Sequence, residues 1–159
     1  MIVGPKPPSG NVIFCDDIRL EASGKQTIVG MYGSEMYIQA SGVAEIPFLY
    51  VIMRLMDDPD SYPRKVSFRV TKDSQSGSEI IAQRDIDASG MPKDLKLPES
   101  FAEESNVFVE LTMAVRLENL KFDAPCRLRA RVYLGEDEVR LGSLNVRVGP
   151  LPPNGAFGQ

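Results

Sequence analysis

The stretch that most restricts how this chain can fold is its last long apolar pattern, Cys126 to Val148. Cys126, Leu128, Ala130, Val132 and Leu134 alternate with Arg127, Arg129, Arg131 and Tyr133. A repeat of two sends one set of side chains to each face of a strand, so this is a strand with one face buried. Gly135-Glu136-Asp137-Glu138 reads as the turn that follows. On the return, Val139 and Leu141 are apolar at odd positions, but Leu144, Val146 and Val148 are apolar at even ones. The register must therefore slip by one residue at Gly142-Ser143, the mark of a β-bulge. A four-residue turn then sets Leu134 against Val139, Val132 against Leu141, Ala130 against Leu144, Leu128 against Val146 and Cys126 against Val148. It also sets Arg127 beside Arg147 on the outer face, which carries Arg129, Arg131, Tyr133 and Arg140 as well.

The same period recurs upstream. Asn11 to Glu21 reads as a strand with Val12, Phe14 and Ile18 inward, and a turn at Ala22 to Lys25 leads into a return strand from Gln26 to Tyr32. Gly30 within that return marks a bulge or a close approach of backbone. A short segment, Met36 to Ile38, follows. Pro47 to Met56 is apolar on both faces, with Leu49, Val51, Met53 and Leu55 on one and Phe48, Tyr50, Ile52 and Met56 on the other. Such a strand is central with its second face covered, or it meets another protein chain. Lys65 to Asp73 and Ser78 to Asp87 form a further hairpin. After a connection rich in turn residues, 98–106 offers at most one short helical turn, and Val107 to Leu117 is the longest clean alternation. Seven to nine strands without a long amphipathic helix imply an all-β fold, an antiparallel β-sandwich. An immunoglobulin-like order is favoured, with a jelly roll as the alternative.

The run Phe14-Cys15-Asp16-Asp17-Ile18-Arg19, with Glu21, Gly24-Lys25, Val29-Gly30 and Tyr32-Gly33, resembles the N-terminal signature of an uncharacterised family of small bacterial proteins carrying a domain of unknown function. The resemblance implies a bacterial or phage origin and a β-sandwich. It transfers no catalytic residue.

The chain has 159 residues, 43% of them hydrophobic and 25% charged, which suits one globular domain able to bury a core unaided. Residues 1–10 and 150–159, rich in proline and glycine, read as flexible tails around a domain at 11–149. Two cysteines are too few for a disulfide framework, and no N-terminal run suits a signal peptide or membrane span, so the expected compartment is the cytoplasm. A net charge of −4 argues against a nucleic-acid binder, which needs a basic surplus; no membrane partner is expected either.

The chain has no histidine. That removes Ser-His-Asp and Cys-His nucleophiles and histidine-ligated metals. Asp57, Asp58 and Asp60 cluster at a strand end, where hard oxygen ligands could hold calcium or could simply hydrogen-bond the local backbone. Asp16 and Asp17 lie mid-strand, so one carboxylate points inward and needs a partner, Arg19 or Lys25. A carboxylate-dependent glycosidase would need a carbohydrate cleft, and a chain with no Trp and five Tyr offers little stacking surface. The leading expectation is a non-enzymatic interaction or assembly module without a cofactor. It would work through a protein partner or self-association, at Phe48, Tyr50 and Ile52 or at Arg127, Arg129, Arg131, Tyr133 and Arg147. A calcium- or small-ligand-binding sandwich is the alternative, and a carboxylate-dependent hydrolase comes last.

Overall fold

The computed structural model describes residues 7–58, 65–87 and 108–150. They form nine strands: β1 (Ser9–Leu20), β2 (Gln26–Tyr32), β3 (Glu35–Gln39), β4 (Ala44–Asp57), β5 (Lys65–Ser74), β6 (Gly77–Asp87), β7 (Val109–Phe122), β8 (Cys126–Leu134) and β9 (Asp137–Gly149). Two sheets stack, one in the order β2-β1-β4-β7 and the other β3-β9-β8-β5-β6. This is the β-sandwich that the alternation requires. In an immunoglobulin domain the second strand lies between the first and the fifth; here β1 lies between β2 and β4. All pairs are antiparallel except β3, which runs parallel to β9. The helical turn expected at 98–106 lies outside the described residues, as do 1–6 and 151–159 of the expected tails.

The core is the space between the sheets. Phe14 of β1, Leu49, Val51, Met53 and Leu55 of β4, and Leu111, Val115 and Leu117 of β7 project from one side. Val66, Phe68 and Val70 of β5, Leu128, Ala130, Val132 and Leu134 of β8, and Val139, Leu141, Leu144 and Val146 of β9 project from the other. Each fully buried side chain of this size contributes about 1.5–3 kcal/mol relative to leaving it in water. One face of nearly every strand is thereby committed, which fixes its register.

The β8-β9 hairpin corrects the expected pairing while keeping its faces. The turn is the two-residue Gly135-Glu136, so Leu134 pairs with Asp137, Val132 with Val139, Leu128 with Leu144 and Cys126 with Val146. A turn two residues shorter shifts every partner by two and leaves inward residues inward. The bulge is present, one step earlier than expected: Arg131 faces Arg140 and Ala130 faces Gly142, leaving Leu141 as the extra residue. Gly142 adopts φ 146°, and a Cβ there would sit 2.8 Å from Val12 Cγ1 across the sandwich. Glycine at this point lets the sheets close together over the buried Leu141. Arg127 consequently faces Asn145, not Arg147.

β4 and β7 exchange faces together. Ala44 and Ile46 point inward with Leu120 and Phe122 opposite, then Phe48 and Glu118 point outward and Leu49 and Leu117 return to the core. The switch falls at Pro47 and at Asn119, whose φ of 52° lies in the left-handed region that asparagine tolerates.

Candidate functional site: two outer sheet faces

The family-like signature in β1 and β2 proves to be a structural clasp. Asp16 points to the inner side at the open margin of the sandwich. There it accepts a 2.5 Å hydrogen bond from the Tyr32 hydroxyl of β2. Its carboxylate lies over Gly30, occupying the space that any Cβ would need, and Gly30 itself has φ 65°. Of the two readings of this glycine, the close approach is the one found: β1 and β2 keep one continuous register through it. The partner of Asp16 is thus a phenol, not the arginine or lysine expected. Burial, then the Asp16 hydrogen bond and charge, push the Tyr32 phenol up to about 12. Asp17 points the other way, and it is this outward carboxylate that pairs with Arg19 Nε, at 3.2 Å.

Cys15 and Cys126 are free thiols. Cys15 is on the outer side of one sheet and Cys126 on the inner side of the other, so no bridge joins them. Burial, with the charges of Asp16 and Asp17, pushes the Cys15 thiol up, which keeps it protonated and unreactive at neutral pH.

Asp57 ends β4 as a buried residue and accepts the Asp58 backbone N–H at 2.9 Å, the local backbone bond that an aspartate at a turn makes. Asp60 lies outside the described residues. Among the described residues no three His, Cys, Asp or Glu side chains are grouped to hold a metal ion.

The remaining expected residues divide between the two outer faces of the sandwich. On the four-stranded sheet, direct partners run Met31, Cys15, Tyr50 and Arg116 across one row and Ile13, Ile52 and Ala114 across the next. Val29 and Phe48 adjoin them. Ile52 is 2% exposed and Cys15 0%, although neither belongs to the core between the sheets. Phe48 is 37% and Met31 67% exposed. The Phe48 and Tyr50 rings meet edge to face at 6.0 Å, and the Arg116 guanidinium lies 4.8 Å over Phe48 while pairing with Glu118 at 3.2 Å. The centre of this face is apolar from Met31 of β2 to Ala114 of β7, with charged residues around it, where a solvated face alternates to polar residues.

On the five-stranded sheet, Arg127, Arg129, Arg131 and Tyr133 of β8 and Arg147 of β9 all point outward, with Arg140. β5 adds Arg69, directly opposite Arg131. The alternation of Phe68 and Val70 with Arg69 gives its outward direction; only the pairing of β5 with β8, across a long stretch of chain, puts it on this face. Four side-chain rows cross the sheet in sequence: Asp85-Ser67-Tyr133-Glu138, Gln83-Arg69-Arg131-Arg140, Thr71-Arg129-Ser143, and Asp73-Arg127-Asn145-Glu35. Carboxylates are confined to the two outer rows. From there they reach inward: Glu138 to Arg140 at 3.1 Å and Arg131 at 3.4 Å, and Asp73 to Arg129 at 3.1 Å. Arg147 pairs with Glu35 at 2.6 Å. Arg69 lies 4.4 Å over the Tyr133 ring, and Arg127 Nε donates to Asn145 Oδ1 at 2.7 Å. The Arg140 hydrogen bond, with the Arg131 charge and the Tyr133 hydroxyl, holds the Glu138 carboxyl below its ordinary value despite some burial. Burial works against ionisation of Asp73, but hydrogen bonds from Ser78 and Thr71 with the charges of Arg129 and Arg131 together lower it too.

What the described residues define is a two-layer antiparallel sandwich whose distinctive chemistry lies on its outer faces. The model of the family of unknown function DUF6941 matches residues 11–148, and the chain belongs to that family. A search of curated proteins finds no match to it. Among the described residues no helix is long and apolar enough to cross a membrane.

Proposed function

We propose that this protein is a non-catalytic assembly module that pairs with a second copy of itself through the outer face of its four-stranded sheet. The observation that carries the reading is the apolar continuity of that face, from Met31 through Tyr50 and Phe48 to Ala114. Large apolar side chains left exposed on such a face, here Met31 and Phe48 around the buried Cys15 and Ile52, mark an interaction site. A second copy suits it because its charges balance: Arg19, Arg54 and Arg116 stand with Asp17, Glu110 and Glu118 on the same side of the sheet. A two-fold interface sets a patch against itself, so a face of one sign would repel its copy, and a balanced one need not. The rings of Phe48 and Tyr50 supply the large, rigid contacts that dominate such interfaces. Two free thiols fit a reducing compartment, and the reading places the module in the cytoplasm.

The test is the solution mass by light scattering. The wild-type chain is expected at twice its own mass, and Tyr50→Lys, which sets a charge in the centre of the face, at its own mass with the same circular dichroism. A wild-type monomer across the accessible concentration range, or a dimer indifferent to both Tyr50→Lys and Met31→Lys, would overturn it.

A further inference from the structure

The outer face of the five-stranded sheet carries a separate feature. A groove of about 320 Å³ runs over β8 beside the bulge, lined by Arg127, Arg129, Arg131 and Arg140 with Gly142 and Ser143 as its floor. No carboxylate lines it. Direct cross-strand pairs of like charge weaken a sheet, and here Arg131 faces Arg69 on one side and Arg140 on the other. The guanidiniums are held in place by contacts largely at their inner ends. The Nε of Arg127 is taken by Asn145, of Arg129 by Asp73 and of Arg140 by Glu138, while Arg131 Nη1 donates to Thr71 Oγ1 at 3.1 Å. The terminal Nη groups of Arg127, Arg129 and Arg140 donate no hydrogen bond to the described residues. A guanidinium presents five donors in a fixed fork that matches a carboxylate, so three oriented forks stand open on one face.

The geometry points to a binding site for an acidic polypeptide segment in extended conformation, with carboxylates at alternate residues. Arg127, Arg129 and Arg131 occupy alternate positions of one strand, so they repeat at about 6.8 Å. Alternate side chains of an extended partner lying along β8 repeat at that same distance. Two alternate residues of such a segment then meet the open forks of Arg127 and Arg129, and Arg140 on the neighbouring strand, about 4.8 Å to the side, gives the site width. Single-stranded nucleic acid fits less well. Binding to it relies on aromatic platforms for the bases, the groove lining contains none, and the chain as a whole carries a net charge of −4. The site is independent of the dimer face, which lies on the opposite side of the sandwich.

Fluorescence anisotropy with the full chain and short labelled peptides tests this directly. A peptide alternating Asp and Ser is expected to bind, to be released by salt, and to bind more tightly than its block isomer of the same composition with the Asp residues consecutive. Arg129→Gln and Arg140→Gln are each expected to weaken it by about fivefold or more, while Arg84→Gln, a surface arginine outside the groove, leaves it unchanged. The peptide comparison needs only the wild-type protein, so a variant that folds poorly does not remove the test. Absence of binding by the alternating peptide, equal binding by the block isomer, or loss of binding in Arg84→Gln equal to that in Arg129→Gln would overturn the proposal. So would tighter binding of a labelled oligothymidylate, or full competition by inorganic phosphate at the peptide's own concentration.

Discussion

The two outer faces of this sandwich are built on the same backbone and differ in almost every other respect. Over the four-stranded sheet the rows read Met31, Cys15, Tyr50, Arg116 and Ile13, Ile52, Ala114; over the five-stranded sheet they read Gln83, Arg69, Arg131, Arg140 and Thr71, Arg129, Ser143. A solvated face that did nothing would mix charges of both signs at each row, because that is what solubility and pairing favour. One face instead gathers apolar side chains at its centre, and the other gathers arginines in its middle rows with their carboxylates reaching in from the rows on either side. The core between them is compatible with either, so the difference has to be explained by what each face meets. Apolar area is worth burying against another surface, whereas a row of arginines gains most from an anion that reaches all of them.

The largest expected effect removes the frame on which both faces stand. Gly142→Val would drive a branched side chain into Val12 at a backbone angle that valine rarely adopts. A loss of about 3 kcal/mol should appear as a lower urea midpoint, together with loss of the groove beside the bulge. Next is the clasp that holds β2, and with it Met31, against β1. Gly30→Ala meets the Asp16 carboxylate and a left-handed φ, and should cost about 1–3 kcal/mol.

Tyr32→Phe removes the hydroxyl that Asp16 accepts and should cost about 1 kcal/mol. It should also change the alkaline limb of stability. The folded chain keeps the Tyr32 proton up to about 12, above the ordinary value of 10. The contribution is therefore whole below about pH 10 and is lost as pH rises towards 12. Urea midpoints measured through that window should fall less steeply in Tyr32→Phe than in the wild type, and equal slopes would refute this role. The smallest effect on stability sharpens the contrast most. Arg129→Gln breaks a partly exposed ion pair with Asp73, so its melting should stay within about 1 kcal/mol of wild type even as peptide binding falls.

Much of this was legible in the chain because alternation reports direction. The inward and outward sets of β8 and β9, the two-faced character of β4, the opening hairpin and the bulge all follow from apolar spacing. Direction, however, does not fix neighbours. The turn at Gly135-Glu136 is two residues shorter than the run of turn-forming residues suggests, and a shift of two preserves faces while changing every partner, so Arg127 meets Asn145 and not Arg147. Pairings between strands distant in sequence leave no local mark. The parallel docking of β3 on β9 and the arrival of Arg69 beside Arg131 are both of this kind. The face exchange at Pro47 and Asn119 rests on a left-handed asparagine inside an otherwise regular pattern, which spacing alone reads as a continuation. Gly30 was visible as an exception, but its reason, the carboxylate of Asp16, needed the β1-β2 register.

The central claim is that the two faces act separately, and one paired experiment addresses it: light scattering and peptide anisotropy on the wild type, Tyr50→Lys and Arg129→Gln. The account predicts a wild-type dimer that binds the alternating acidic peptide, a Tyr50→Lys monomer that binds it as tightly, and an Arg129→Gln dimer that binds it about fivefold more weakly or worse. A wild-type monomer, or two variants that lose mass and binding together, would contradict it.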